Sequence, residues 1–283
     1  MDNVKYAREL FPGTVQLKYL TGNCYEIKLP GDVTLVTDPF IPKEKGGNFD
    51  RFVLGCSVDD LDACDYVLIG HSHTDHIGSL DEVFDRFQPK ILCHELFALN
   101  VCFDFRIGEQ MIIPFHNGER FDFADFSLDT TIGHHTYFPY CFKRPDEIPV
   151  LDKGTKMETL NKYGGIFNSN FVITAKNNYR IGFCAGTFED YEANYWKNAK
   201  VNLLMRQCNE MSKDDYRETA RTIMATGAEI MVPLHQEKAY DKIDFIAYTE
   251  KVNKYLEENH YSGRMFWPEV GVWYRTGACI GRA

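Results

Sequence analysis

The chain has 283 residues, a net charge of −10, 44% hydrophobic residues and 25% charged ones. That is enough apolar material for a substantial core, and the acidic balance argues against broad, sequence-independent affinity for nucleic acid or anionic membranes, which needs an excess of Lys and Arg. Nine cysteines are scattered with no C-x-x-C pair, which suggests neither a zinc ribbon nor a disulfide framework and fits free thiols in a reducing cytosol.

The opening MDNVKYAREL lacks a signal peptide's apolar stretch, and no window reaches the roughly 18 apolar residues of a membrane span. A soluble, cytoplasmic protein is expected, with a small-molecule partner, no membrane and no nucleic acid; oligomeric state is not legible. Residues 14–40 alternate in short apolar runs split by Gly22-Asn23 and Pro30-Gly31-Asp32, which predicts antiparallel strands joined by turns. The third run ends at Asp38-Pro39 and leaves Asp38 at a strand's carboxyl edge. DYVLIG repeats the design and delivers the segment HSHTDH, residues 71–76.

Beyond it, Leu80, Val83, Phe84 and Phe87 fall at helical spacing, with Ser79 as N-cap and Pro89 as stop. KILCHE, EQMIIPFHNGERFDF, FSLDTTIGHH, SNFVITAKNNYRIGFCAG and KVNLLMRQ read as strands, with hairpin turns expected at Asn117-Gly118 and Asn177-Asn178. A helix ending at Gly227, a strand AEIMVPLH ending in His235, an amphipathic helix and the strand-like GRMFWPEVGVWYR complete the chain. The order suggests two packed sheets covered by helices in a single domain, 1–283, with residues 40–62 and 138–166 as functional loops.

Four coordinating side chains in six positions are more than a polar loop needs. On an extended backbone His71 and His73 share a face and reach one ion, and a turn then lets Asp75 and His76 project towards a neighbouring position. HSHTDHIGSL resembles the H-x-H-x-D-H signature of the metallo-β-lactamase superfamily, and the similarity runs over nearly the whole chain. TLVTDPF resembles that family's first motif, TTIGHHT falls where its third-motif histidine is expected, and AEIMVPLH resembles its last-motif strand. The run from Lys200 to His235 is most similar to the branch of the ascorbate-6-phosphate lactonase and related cytosolic hydrolases.

The resemblance implies an α+β four-layer αβ/βα sandwich with a metal centre at one edge of two mixed sheets. It implies that His71, His73 and a third-motif histidine hold one ion and that Asp75, His76 and His235 hold a second. Strand spacing and the following Thr136 favour His135 as the third-motif ligand, leaving His134 to face substrate, support a ligand or pack. Zinc suits these donors on availability, and manganese or iron would also fit. A bound zinc ion brings the pKa of its water from about 15.7 to about 7 and polarises the attacked oxygen; Asp75 would orient that nucleophile and Asp38 would fix a ligand imidazole. The implied function is hydrolysis of a small-molecule ester, lactone, amide or phosphodiester. A nucleic-acid phosphodiesterase, a flavo-diiron-type redox protein and a non-catalytic binding descendant are the alternatives.

One departure bears on the second ion. The family's fourth motif carries a metal-bridging Asp where RIGFCAGTFED places Gly186, so Glu189 or Asp190 must reach back or the second site is weakened. His94 lies at a strand-to-helix junction near the expected site edge. His116 and His260 read as structural or surface residues, and Cys184 as a buried thiol. Arg206 and Lys238 lie near strand ends where either could bind an anionic group, although an exposed charge is the plainer expectation.

Overall fold

Apolar residues along the strands divide by parity, as a two-residue period demands. Leu35, Leu68 and Leu92 enter one core, while their neighbours Val36, Val67 and Ile91 enter another. Strands buried on both faces need cover on both sides, and that requirement generates the layers. The computed structural model describes residues 14–45, 49–135, 157–164, 166–186, 188, 190–207, 216–238, 243–276 and 281–282.

The strands are β1 (Val15–Thr21), β2 (Cys24–Lys28), β3 (Thr34–Thr37), β4 (Tyr66–Leu68), β5 (Lys90–His94), β6 (Ile112–Phe115), β7 (Arg120–Asp122), β8 (Phe126–Ile132), β9 (Ser169–Ala175), β10 (Arg180–Cys184), β11 (Leu203–Gln207), β12 (Ile230–Leu234), β13 (Arg264–Met265), β14 (Trp273–Thr276) and β15 (Gly281–Arg282). The helices are α1 (Thr74–Ile77), α2 (Leu80–Phe87), α3 (Glu95–Phe105), α4 (Glu158–Gly164), α5 (Glu192–Ala199), α6 (Tyr216–Thr226) and α7 (Phe245–Glu258). One sheet runs β15-β14-β1-β2-β3-β4-β5-β6 and the other β13-β12-β11-β10-β9-β8-β7. Each is mixed: β3 to β6 are parallel in the first, β10 to β13 in the second, and the rest pair antiparallel.

The core between the sheets is built from Leu17, Tyr25, Leu35 and Leu68 on one side and Leu128, Phe171, Phe183 and Val232 on the other. Helices α1 to α4 pack on the outer face of the first sheet, through Ile77, Leu80, Phe97 and Leu160. Helices α5, α6 and α7 cover the second through Trp196, Ile223 and Leu256. The result is the expected four-layer sandwich.

The expected hairpin at Asn177-Asn178 joins β9 to β10, with Asn178 at a φ of 63°. The other expected hairpin is not one. Strands β6 and β7, on either side of Asn117-Gly118, belong to different sheets, because Gly118 N–H donates to the carbonyl of Thr130 at 2.9 Å and hands the chain over to β8. Residues 49–62, within one predicted loop, instead pack closely: two short 3-10 turns hold Phe52 and Val58 in buried positions. Most of 138–166 lies outside the described residues, except that its last part forms α4 against the first sheet.

Candidate metal centre

Parallel strands bring their carboxyl ends to one edge, where loops can gather side chains from several of them. Asp38 follows β3, the 71–76 segment follows β4, and His235 follows β12. Asp38 and His235 have φ of 36° and 55°, a conformation non-glycine residues seldom adopt, so the backbone is strained at two of the points where the site is made. His71, His73 and His135 place one ring nitrogen each within 4.8 Å of one another, and so do the donors of Asp75, His76 and His235. The rings of the first trio lie 4.8 to 5.0 Å apart, edge to face.

His71 carries the strongest sign of a cation. It is 0% exposed, and neither ring nitrogen has a hydrogen-bond partner among the described residues. Buried imidazole nitrogens are normally satisfied. Burial, reinforced by His76, His73, His135 and His235, pushes the pKa of His71 well below its ordinary value. His73 is brought down to about 3 by burial first and by His135 and His76 next. Both imidazoles are neutral near pH 7, the form that offers a lone pair to a metal.

The second trio is oriented from behind. Nδ1 of His76 lies 2.7 Å from Oδ2 of Asp38, and Nδ1 of His235 lies 2.8 Å from Oε1 of Glu237. With those Nδ1–H groups donated to carboxylates, the two Nε2 atoms face each other across 3.3 Å, two lone pairs that a shared cation reconciles. Oδ1 of Asp75 stands 4.0 Å from Nε2 of His76. Asp38 also falls within reach of His71 and His76, but its oxygens are committed: Oδ1 accepts from Gly70 N–H at 2.6 Å, and Oδ2 accepts from Asn23 and His76. It orients a ring and does not compete for the ion. The residues therefore fit one or two divalent cations.

Helix α4 braces the same loop. Asn161 Oδ1 accepts from the backbone N–H of Thr74 at 2.8 Å, and Ser72 Oγ donates to the carbonyl of Leu160 at 2.6 Å. A Cβ on Gly164 would stand 2.5 Å from Cδ2 of His73. Phe52 meets the ring of His235 edge-on at 5.8 Å.

Other predicted residues stand apart. His134 is exposed and outside both trios. His94 caps α3, accepts from Leu96 N–H and stacks on Phe167. His116 pairs with Glu95 at the surface, and Cys184 is buried, its thiol pushed up by burial. Asp190 is exposed and joins neither trio, while Glu189 and the side chain of Lys238 lie outside the described residues. At Gly186 a Cβ would fall 1.9 Å from the carbonyl oxygen of His134 and 2.7 Å from Nδ2 of Asn168, so any larger residue there would collide with the backbone beside His135. Sequence reading missed Glu237 and Asn23; the only signal for Glu237 is a carboxylate two positions after the strand-tip histidine.

Residues 18–147 match the family model described as the metallo-beta-lactamase superfamily. The chain has the metallo-β-lactamase fold. Igni18, a metallo hydrolase from Ignicoccus hospitalis, is similar with a TM-score of 0.60 at 17% identity, over 93% of this chain and 100% of that one. An isothiocyanate hydrolase from Delia radicum gut bacteria gives 0.64 at 14%, over 93% and 100%. The metallo-beta-lactamase fold protein YhfI from Bacillus subtilis gives 0.56 at 14%, over 93% and 100%. No curated protein matches the sequence.

Proposed function

We propose that the chain is a metal-dependent hydrolase acting on an ester, lactone, amide or phosphodiester of a small molecule. Zinc is the first candidate metal, and manganese or iron suits the same donors. The observation that carries this reading is the fully buried His71, whose two ring nitrogens have no hydrogen-bond partner among the described residues while the rings of His73, His76 and His135 surround it. His71, His73 and His135 would hold one ion and Asp75, His76 and His235 another. Such an ion acidifies water to a pKa of about 7 and polarises the oxygen of the attacked group. Asp75, the most exposed donor of its trio, would take up the proton of the attacking water on its carboxylate. Asp38 and Glu237 keep the Nδ1 protons of His76 and His235 in place, so that both Nε2 atoms stay lone-pair donors.

Gly186 favours a variation on this theme: with no carboxylate at that position beyond β10, the second ion would be held more weakly than the first. The resemblance to the ascorbate-6-phosphate lactonase branch supports a cytoplasmic, single-domain enzyme for small substrates. Among the described residues no helix is long and apolar enough to cross a membrane.

Elemental mass spectrometry on protein purified without chelator tests the reading. One or two ions per chain are expected, with hydrolysis in a lactone and phosphodiester screen that is lost on chelation and restored by metal. Undiminished hydrolysis by the metal-free protein would refute it.

A further inference from the structure

Arg206 sits at the last position but one of β11. Along that strand Leu203 and Met205 enter the core between the sheets, and Leu204 enters the outer cluster around Trp196. Arg206 follows Leu204 onto the outer face. A charge at a strand end is ordinarily solvated, yet this residue is 9% exposed, and its Nε and Nη1 have no hydrogen-bond partner among the described residues. Its guanidinium carbon lies 4.9 Å from the centre of the Phe188 ring, which covers the cation without satisfying its N–H groups. Buried guanidinium is kept when an anion completes it, because the desolvated charge is otherwise a standing cost.

The position is close to the metal centre. Cys184 is its register partner on β10, two residues before Gly186, which abuts the His134 carbonyl. The next residue, Gln207, donates to the carbonyl of Ala185, which also accepts from Asn23, a partner of Asp38. One strand away in the other direction, β12 ends at Leu234, just before His235.

We propose that Arg206 is a specificity-determining residue: its free N–H groups bind an anionic oxygen group of the substrate, a carboxylate or a phosphate, while the metal donors act on a bond elsewhere in the same molecule. The role in substrate choice rests on the hydrolase reading above; the binding of the anion does not. Guanidinium suits both oxyanions.

The test uses the full chain with metal removed by chelator, so that no anion can bind through an ion. Thermal unfolding and calorimetric titration are followed with inorganic phosphate and with succinate at low ionic strength. One or both should raise the melting temperature of the unsubstituted protein and bind with a measurable constant; whichever does so identifies the oxyanion. Arg206→Met should weaken that binding roughly ten-fold or more, and Arg206→Lys less. Without anion, Arg206→Met should melt no lower than the parent, since it removes a buried charge whose Nε and Nη1 have no hydrogen-bond partner among the described residues. No response of the parent to either anion, an equal response in Arg206→Met, or an anion-free loss of stability in that variant would each overturn the proposal.

In metal-loaded protein, the kcat/KM preference for para-nitrophenyl hydrogen succinate over para-nitrophenyl acetate should collapse in Arg206→Met. An unchanged preference would remove the substrate role. A chain that binds anion through Arg206 but takes up no metal would instead defeat the hydrolase reading.

Discussion

The two carboxylates behind His76 and His235 set which nitrogen of each ring is offered to a cation, and they do so from different parts of the chain. Replacing Glu237 by Ala frees the His235 ring to turn or change tautomer, so we expect affinity for the second ion to fall about 10–100-fold while the His71 trio keeps its metal; competition with a chromophoric chelator measures both, and equal weakening of the two ions would sink the assignment. The neutral histidines also set a pH dependence. His73 takes its proton at about 3 in the folded protein against an ordinary 6.5, so between those values the unfolded chain binds more protons. Metal-free protein therefore has the full contribution of His73 above about 6.5 and loses it as pH falls towards 3, at about 1.4 kcal/mol per pH unit while the group titrates. Urea unfolding across that range should show the decline, and His73→Gln should flatten it; equal slopes would rule His73 out as the cause. At this scale the 71–76 segment was legible because four donors lie together in sequence. Glu237 and Asn23 were not, since a buried partner carries no pattern until the fold brings it to its histidine, and Arg206 read as an exposed charge because burial at a strand tip depends on the neighbouring strand and on Phe188.

Elements position these residues without joining the chemistry, and the paired strands β1 and β2 make the distinction testable. Lys18 and Glu26 are register partners, both buried, with Nζ 2.7 Å from Oε2. Glu26 also accepts from the backbone N–H groups of Asp62 and Ala63, and Trp273 lies against both Lys18 and Lys28. Burial raises the pKa of Glu26 and the two lysines oppose that rise. Glu26→Ala leaves Lys18 with only the Asp60 carbonyl and the Asp62 carboxylate 3.4 Å away, which should cost about 1–3 kcal/mol in chemical denaturation. Metal content at saturation should stay unchanged, and a parallel loss of metal would mean that this network reaches the centre. Strand punctuation made most such elements readable, as Gly22-Asn23 did for β1 and β2. It failed at Asn117-Gly118, because turn residues say that the chain bends and not which sheet receives the next strand. The two-residue period also stops short at the end of β8: Phe126, Leu128 and Thr130 are buried, but Ile132 is exposed, so the strand's phase does not carry on to His134 and His135.

The donors of each trio are drawn from both halves of the molecule. His71, His73, Asp75 and His76 follow a strand of the first sheet, whereas His135 and His235 follow strands of the second. A cation held by either trio would thus close a link between layers otherwise joined by the core between them, and the chain's net charge of −10 adds a general attraction for cations. Metal binding should accordingly be coupled to global unfolding rather than to the loosening of one loop. An ion present at about 1,000 times its dissociation constant stabilises the folded state by about 4 kcal/mol, which for a chain of this size is a shift on the order of 10 °C. Scanning calorimetry should show the whole transition moving down on chelation and returning on adding metal. His235→Ala, which removes one donor of the second trio, should keep only part of the shift. A transition that stays in place on chelation, while metal is demonstrably lost, would mean that the ions do not bridge the sheets and that the trios are not their ligands.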